Sequence, residues 1–422
     1  LDFTTLPDTG RYQLTNLVTP GCFLGRTDTA FHPHSLTIDN GTLVQGEAEV
    51  QLDMRGALVL PLGVDMHTHL DKGHIWGRAP NPDGTFMGAL TTVGTDRSAN
   101  WQADDVRRRM DFSLRCAFAH GTRAIRTHLD SMAPQDDISW PVFDEIRTTW
   151  AGRIDLQAAC LVAIENVSAD GAYLHTANLV KQYGGVLGAV AYPVPDIAER
   201  LEVVLSLAAA HGLAVDFHVD ETLDPESTCL REIAQAVLRT GFDAPVVVGH
   251  CCSLSTQAES ETDRTLDLVA QAGINVVSLP MCNLYLQDRH ADRTPRYRGI
   301  TLIHEMVVRG IPTAFASDNT RDPFYAYGDM DLVEVLREAV RIGHLDHGRG
   351  DWPATVNQVP AKICGFAPAS LSDGPADFLL LNARTWTELF ARPQSDRVVV
   401  RAGRAIDRTL PAYAELDDLM RV

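Results

Sequence analysis

Residues 57–69 read ALVLPLGVDMHTH: an apolar run over 57–64, then His67, Thr68 and His69 where the run ends. On a strand alternate side chains share a face, so His67 and His69 point one way and Thr68 the other. One ion can take both imidazoles. A second H-x-H, His32-Pro33-His34, carries a proline that lacks a ladder donor, which confines it to an edge or turn and to surface structure.

Seven further runs read as parallel strands, over 123–129, 155–164, 186–194, 213–219, 245–249, 274–279 and 311–316. Between them, 103–119, 201–210, 229–240 and 265–272 show the apolar spacing of helices that cover a barrel. Strand and helix alternating eight times is the (β/α)8 pattern, in which functional groups sit at the carboxyl ends of the strands. The expected fold is therefore α/β, a TIM-type barrel over 57–374. Residues 1–56 are rich in Thr, Gly and short alternating runs, with Asn40-Gly41 as a hairpin signal. Residues 376–381 and 397–402 read as further strands, so 1–56 and 375–422 are expected to combine into one small β domain.

At 422 residues and 45% hydrophobic the chain can bury a barrel core with an accessory unit. A formal charge of -19 argues against a nucleic-acid partner, whose backbone calls for clustered Lys and Arg. Several of the eight cysteines, among them Cys160, Cys251 and Cys282, fall inside or beside apolar runs, which favours reduced thiols and a cytoplasmic setting. The stretch LDFTTLPDTG carries no leader-like pattern, and no apolar run approaches the ~20 residues of a membrane span. A homo-oligomer is compatible with the acidic surface.

The other run endings carry the chemistry. His218 continues the alternation of the fifth run, and Glu221 follows three residues on, a carboxylate free to move protons beside a metal-binding imidazole. Asp220 between them reads as structural or as a support behind the ligands. His250 closes the sixth run and Asp318 the eighth; beside a cation, Asp318 can both ligate and accept a proton from water. His128 and Asp130, after the second run, read as structural. Lys72, His74 and Trp76 follow the first closely enough to reach a substrate without a pattern that assigns them a role.

In this order, HxH on strand one, His on five, His on six and Asp on eight, the chain resembles the amidohydrolase superfamily. Within it, HLD at 69–71, RTHLD at 126–130, HVDE at 218–221, RYRGITLIHEM at 296–306 and SDNTRDPFY at 317–325 resemble bacterial cytosine deaminases. The resemblance implies that His67, His69, His218 and Asp318 hold one zinc or iron ion, that His250 orients a hydroxide and that Glu221 shuttles protons. Two-metal members carry a bridging lysine or carboxylate near strand four, and 186–194 has neither, so one divalent ion is expected. The zinc deaminases with P-C-x-x-C are a separate group, and this chain has no C-x-x-C.

The expected activity is deamination of cytosine or a 5-substituted cytosine such as 5-methylcytosine. The alternative is a deaminase or cyclic-amide hydrolase acting on another N-heterocycle: isocytosine, a triazine or a pterin. Two departures from the family pattern bear on the substrate. Where cytosine deaminases place a glutamine after strand three, this chain offers Glu165, which as a carboxylate accepts but does not donate hydrogen bonds, or Asn166, which restores an amide. Asn319 follows the metal aspartate where the family often has a second aspartate, with Phe324 near the ring. Tyr325 and Tyr327 line the site or pack the core; Arg289, Arg293, Arg296 and Arg298 form a lid or a solvated face with Asp288 and Asp292. A binding protein that kept the barrel and used the metal only for its fold would not need Glu221, His250 and Asp318 together.

Overall fold

In this computed structural model residues 6–347, 351–393 and 396–421 are described; residues 1–5 and 422, the ends of the expected β domain, lie outside them. The residues singled out above lie on or just after eight strands: β1 (Gly63–Thr68), β2 (Thr122–Asp130), β3 (Asp155–Leu161), β4 (Leu187–Ala191), β5 (Val215–Val219), β6 (Val246–His250), β7 (Asn275–Ser278) and β8 (Thr313–Phe315). β1 to β3 form one parallel sheet and β4 to β8 another, each in sequence order. Isolated parallel bridges pair Ala159 with Val186, Ala163 with Val190 and Thr68 with Asp318. With helices between successive strands, this is a TIM-barrel-like α/β fold.

The covering helices follow from apolar spacing. Ala103–His120 buries Val106, Met110, Leu114 and Ala117, a stripe recurring every three to four residues. Cys229–Thr240 buries Leu230, Ile233, Ala234 and Val237 in the same way. Both match the sequence reading. The helix expected at 265–272 begins earlier, spanning Glu259–Gln271, because its first turn is acidic and exposed and carries no apolar signal.

The first expected strand is corrected. The run over 57–64 is divided: Leu58–Pro61 pairs antiparallel with Phe378–Leu381 and touches Val18, whereas the barrel strand is Gly63–Thr68, paired with β2. Pro61 offers no N–H with which to continue the ladder, and all residues on either side are buried, so polarity does not mark the break.

Leu58–Pro61 joins a nine-stranded sheet built from both chain ends, with its own core of Leu14, Leu36, Ile38, Leu60, Phe378 and Val399. Asn40 and Gly41 both take positive φ, 47° and 88°, and turn Phe31–Asp39 into Thr42–Val44 as the hairpin signal requires. His32 and His34 lie on Phe31–Asp39, bound to Asp28 and the Leu371 carbonyl, away from the barrel histidines. The chain's last segment leaves this sheet: Arg108 and Arg115 on helix Ala103–His120 bind Asp418 and Glu415, and Leu416 joins the barrel core. Among the described residues no helix is long and apolar enough to cross a membrane.

Candidate active site

Strand pleating delivers the first two imidazoles. His67 and His69 sit one period apart at the end of β1, and the bridge between Thr68 and Asp318, with the Asp318 N–H donating to the His67 carbonyl at 2.9 Å, fixes β8 against them. His218 on β5 reaches the same point. Its Nε2 lies 3.0 Å from His67 Nε2 and 3.3 Å from His69 Nε2, while Asp318 Oδ1 lies 3.2 Å from His69 Nε2 and 3.6 Å from His67 Nε2.

These separations test whether the set fits a metal. Ligands placed ~2.0–2.1 Å from a tetrahedral ion stand about 3.4 Å apart along each edge, and four edges here are 3.0 to 3.6 Å. The donors are also in the right state. Burial and the neighbouring cationic groups push His67, His69 and His218 well below the usual histidine range, so each imidazole is neutral. Both oxygens of Asp318 are buried with no neighbouring donor among the described residues but the weak S–H of Cys282, the condition a cation would relieve. The residues fit a divalent ion.

Close approach of β6 shapes the pocket for His67. Gly249 is flanked in register by His218 and Val277, and a Cβ there would fall 2.9 Å from His67 Cε1. After Gly249 the strand ends at His250, with φ 72°; Asp318 and Asp220 likewise take φ of 63° and 50°. Such backbone is uncommon for non-glycine residues and recurs here at the strand ends that carry the site. At Asp220 the carboxylate accepts from the backbone N–H groups of Cys229 and Leu230 at the start of helix Cys229–Thr240, the structural role expected of it.

Glu221 stands beside this set. Its Oε1 lies 3.3 Å from His250 Nδ1, and burial together with the Asp318 charge pushes its carboxyl well above the usual range. Asn283, one turn into helix Pro280–Leu286, is placed with its amide NH2 toward both groups, 3.3 Å from Glu221 Oε1 and 3.0 Å from His250 Nδ1. An N–H aimed at Nδ1 makes that nitrogen the acceptor and puts the histidine proton on Nε2. Burial holds His250 at about 3, hence neutral, and its buried Nε2 is unpartnered. Gln287, four residues on, donates to the Glu221 carbonyl at 3.1 Å. Sequence reasoning missed Asn283 and Gln287. Their i, i+4 spacing after β7 was the available signal, hidden in an otherwise apolar segment.

Two charged layers support the centre. Beneath it, His128 packs its ring 4.1 Å from His67 and 4.6 Å from His218, with Asp216 holding Arg126 at 2.8 Å. To one side, Asp130 binds Lys72 at 2.9 Å and Arg97 at 2.7 Å while its N–H donates to Asp71. The Lys72 ammonium lies 5.4 Å from the Phe324 ring, which packs on Phe86. Asn319 donates to Asp322 at 2.7 Å, and Asp322 accepts from the Phe324 N–H, so Asn319 helps set where Phe324 stands.

Not every residue expected at the site is brought to it. Glu165 and Asn166 are exposed on a short turn after β3, near Arg200, which donates to the Glu165 carbonyl, and neither has a recorded contact with the histidine set. His74 packs on Phe112, at 4.7 Å between rings, and Tyr325 and Tyr327 pack on Tyr285. In the loop after β7, Asp288 pairs with Arg293 and accepts from the Tyr297 N–H. Outside Glu221 that loop borders a cavity of about 480 Å³ lined by Phe86, Thr222, Leu286, Gln287, Arg289 and Tyr297, among others.

A parallel α/β scaffold with three imidazoles and an aspartate converging at its strand ends defines a class, and sequence comparison agrees. The profile of the amidohydrolase family matches residues 166–407, and the chain belongs to that family. It is 51% identical over 431 aligned positions, 99% of each chain, to a pterin deaminase of Rhizobium rhizogenes. It is 22% identical, over 71% of this chain and 72% of the other, to an N-isopropylammelide isopropyl amidohydrolase of Pseudomonas sp.. In fold it is similar to 5-methylcytosine deaminase of Klebsiella pneumoniae liganded with phosphonocytosine, with a TM-score of 0.78, 24% identity and coverage of 94% and 98% of the two chains.

Proposed function

We propose that this chain is a metal-dependent aminohydrolase that removes the exocyclic amine of an N-heterocycle as ammonia, with a pterin as its preferred substrate. The observation that carries deamination is Glu221: a largely buried carboxyl, pushed up by burial and the Asp318 charge, 3.3 Å from His250 and beside Asp318. The reading includes a closed (β/α)8 barrel, supported by the bridges between β1 and the end of β8 and between the β3 and β4 regions, and a small β domain formed from both chain ends.

His67, His69, His218 and Asp318 would hold one divalent ion, zinc or iron, which supplies hydroxide near neutrality by lowering the pKa of its water toward ~7. Glu221 gives its proton to the ring nitrogen next to the amine-bearing carbon, so that carbon accepts the incoming oxygen without a full negative charge on the ring. His250, neutral and protonated on Nε2, donates a hydrogen bond to that oxygen. Asp318 receives the proton the nucleophile gives up and passes it to the leaving amine, and Glu221 regains its own proton from the water that becomes the next hydroxide. Phe324, held by Asp322 and Lys72, forms the aromatic wall for the ring. Asn319 supports that wall, and Glu165, exposed on the turn after β3, takes no part in it.

The choice of a pterin rests on the relative that is 51% identical over the full length and named for that substrate. The 2-amino-4-oxo ring of a pterin presents the amidine carbon that the mechanism requires. A cytosine, the reading of the HVDE and SDNT segments, presents the same group in a single ring without the fused second one and is the second reading. The test is ammonia release from pterin, cytosine, 5-methylcytosine and isocytosine, with metal measured on the same sample. Pterin is expected to give the highest kcat/KM, with Glu221→Gln lowering kcat by roughly 10²-fold or more. Turnover of cytosine without pterin would select the second reading, and a fully active Glu221→Gln would overturn the mechanism.

A further inference from the structure

Asp318 has two sides. Its Oδ1 faces the histidines, and its one neighbouring donor among the described residues in this buried setting is the weak S–H of Cys282. Toward the mouth of the site, one oxygen of Asp318, one of Glu221 and the thiol of Cys282 all lie within 4.8 Å of one another. Cys282 is fully buried on helix Pro280–Leu286, next to Asn283, with its Sγ 3.7 Å from Asn319 Oδ1. The deamination mechanism makes no use of a thiol.

We propose that Glu221, Cys282 and Asp318 form a second divalent-cation subsite, selective for thiophilic ions such as zinc and cadmium, that shares Asp318 with the histidine site and blocks turnover when filled. Two carboxylates bring oxygen ligands and Cys282 brings the soft donor that favours zinc-like ions over magnesium or calcium. Binding displaces the thiol proton and the Glu221 proton to solvent, leaving a thiolate and two carboxylates around the cation. Filling the subsite ties up the Glu221 carboxyl that faces His250 and occupies the side of Asp318 turned away from the histidines, so inhibition follows from ligand identity alone. The subsite differs from the second metal position associated with strand four, since its ligands follow β5, β7 and β8. The effect on turnover rests on the aminohydrolase reading; binding of the cation does not.

The experiment starts from the full chain carrying one equivalent of zinc and titrates cadmium into it, reading total metal, ultraviolet cadmium–thiolate absorption and ammonia release. One cadmium is expected to bind with the zinc retained, the thiolate absorption rising in step and turnover falling roughly 10²-fold, as loss of a general acid does. In Cys282→Ser the absorption and the added cadmium are lost, and the variant's own rate no longer falls with added metal. In Cys22→Ser, at the half-buried thiol on the β sheet side, both persist. A measurement on the unaltered chain guards against misfolding: with zinc alone, X-ray absorption gains a sulfur neighbour at about 2.3 Å only beyond the first equivalent. Absorption that survives Cys282→Ser, or a chain that saturates at one ion with no sulfur neighbour, overturns the proposal. Failure of the histidine site is separable, because it appears as unchanged zinc content in His69→Ala while the thiolate signal still reports Cys282.

Discussion

Replacing Gly249 by alanine tests whether the packing of β6 holds the metal site. The added Cβ would lie 2.9 Å from His67 Cε1 and 3.2 Å from its Nδ1. An ordinary carbon–carbon contact begins near ~3.5 Å, so one of the two must retreat by about 0.6 Å. β6 cannot retreat, because Gly249 is in register with His218 on one side and Val277 on the other. The ring is hemmed in by His128 at 4.1 Å and His218 at 4.4 Å between centroids. The displacement therefore falls on a ligand, where metal sites tolerate about ±0.2 Å. We expect zinc affinity to fall about 10- to 100-fold, the loss usual when a ligand's support is disturbed, with overpacking costing roughly 1–3 kcal/mol of stability. Chelator competition measures the first and thermal melting of the metal-free protein the second. Gly94→Ala is the control: it lies in helix Phe86–Asn100 with nothing within 4 Å of the new Cβ, and should stabilise by up to about 1 kcal/mol with metal affinity unchanged. Wild-type zinc affinity in Gly249→Ala would show that the His67 ring is not clamped, and the argument from close approach would fall.

Asn283→Leu should lower kcat by roughly 10- to 100-fold with metal content intact, since Glu221 and His250 lose their shared donor; ammonia release and metal analysis on one sample decide it. Arg126→Met leaves the buried Asp216 carboxylate without its 2.8 Å partner, and the expected cost is about 3–5 kcal/mol in denaturant melts, whereas a change under about 1 kcal/mol would show that Asp216 is otherwise satisfied. Asp331 pairs with Arg397 at the start of helix Leu332–Gly343, and although burial alone would raise it, that guanidinium holds its carboxyl down at about 2. A lowered folded pKa gives stability that is present above the unfolded value of ~4 and is lost as pH falls toward about 2, worth roughly 2 kcal/mol. Denaturant melts should show that acid-side slope in the parent chain and a flatter one in Asp331→Asn; equal slopes would remove Asp331 from the account.

What could be read from the sequence divides along a physical line. His67, His69, His218, His250 and Asp318 were legible because a strand has a period of two and a barrel puts its chemistry where strands end. The division of the first apolar run at Pro61 was not, since burial on both sides erases the polarity change that marks a boundary. Asn283 and Gln287 were hidden for a related reason: Asn283 acts from a seven-residue helix whose other members are largely buried and Gln287 from the residue that caps it, and their role exists only because that helix lies beside Glu221 and His250. His128 shows the limit from the other direction. It sits on β2 in phase with Arg126 and Asp130, and its place beneath the ligand set becomes apparent only when β1 and β5 are brought beside it. The residues that converge at the strand ends inherit their positions from strand periodicity, which one chain displays. The residues that aim them inherit theirs from neighbours far away in sequence. Variants of Asn283, Gly249 and Arg126 therefore test the three-dimensional reading in a way that substituting a histidine ligand cannot.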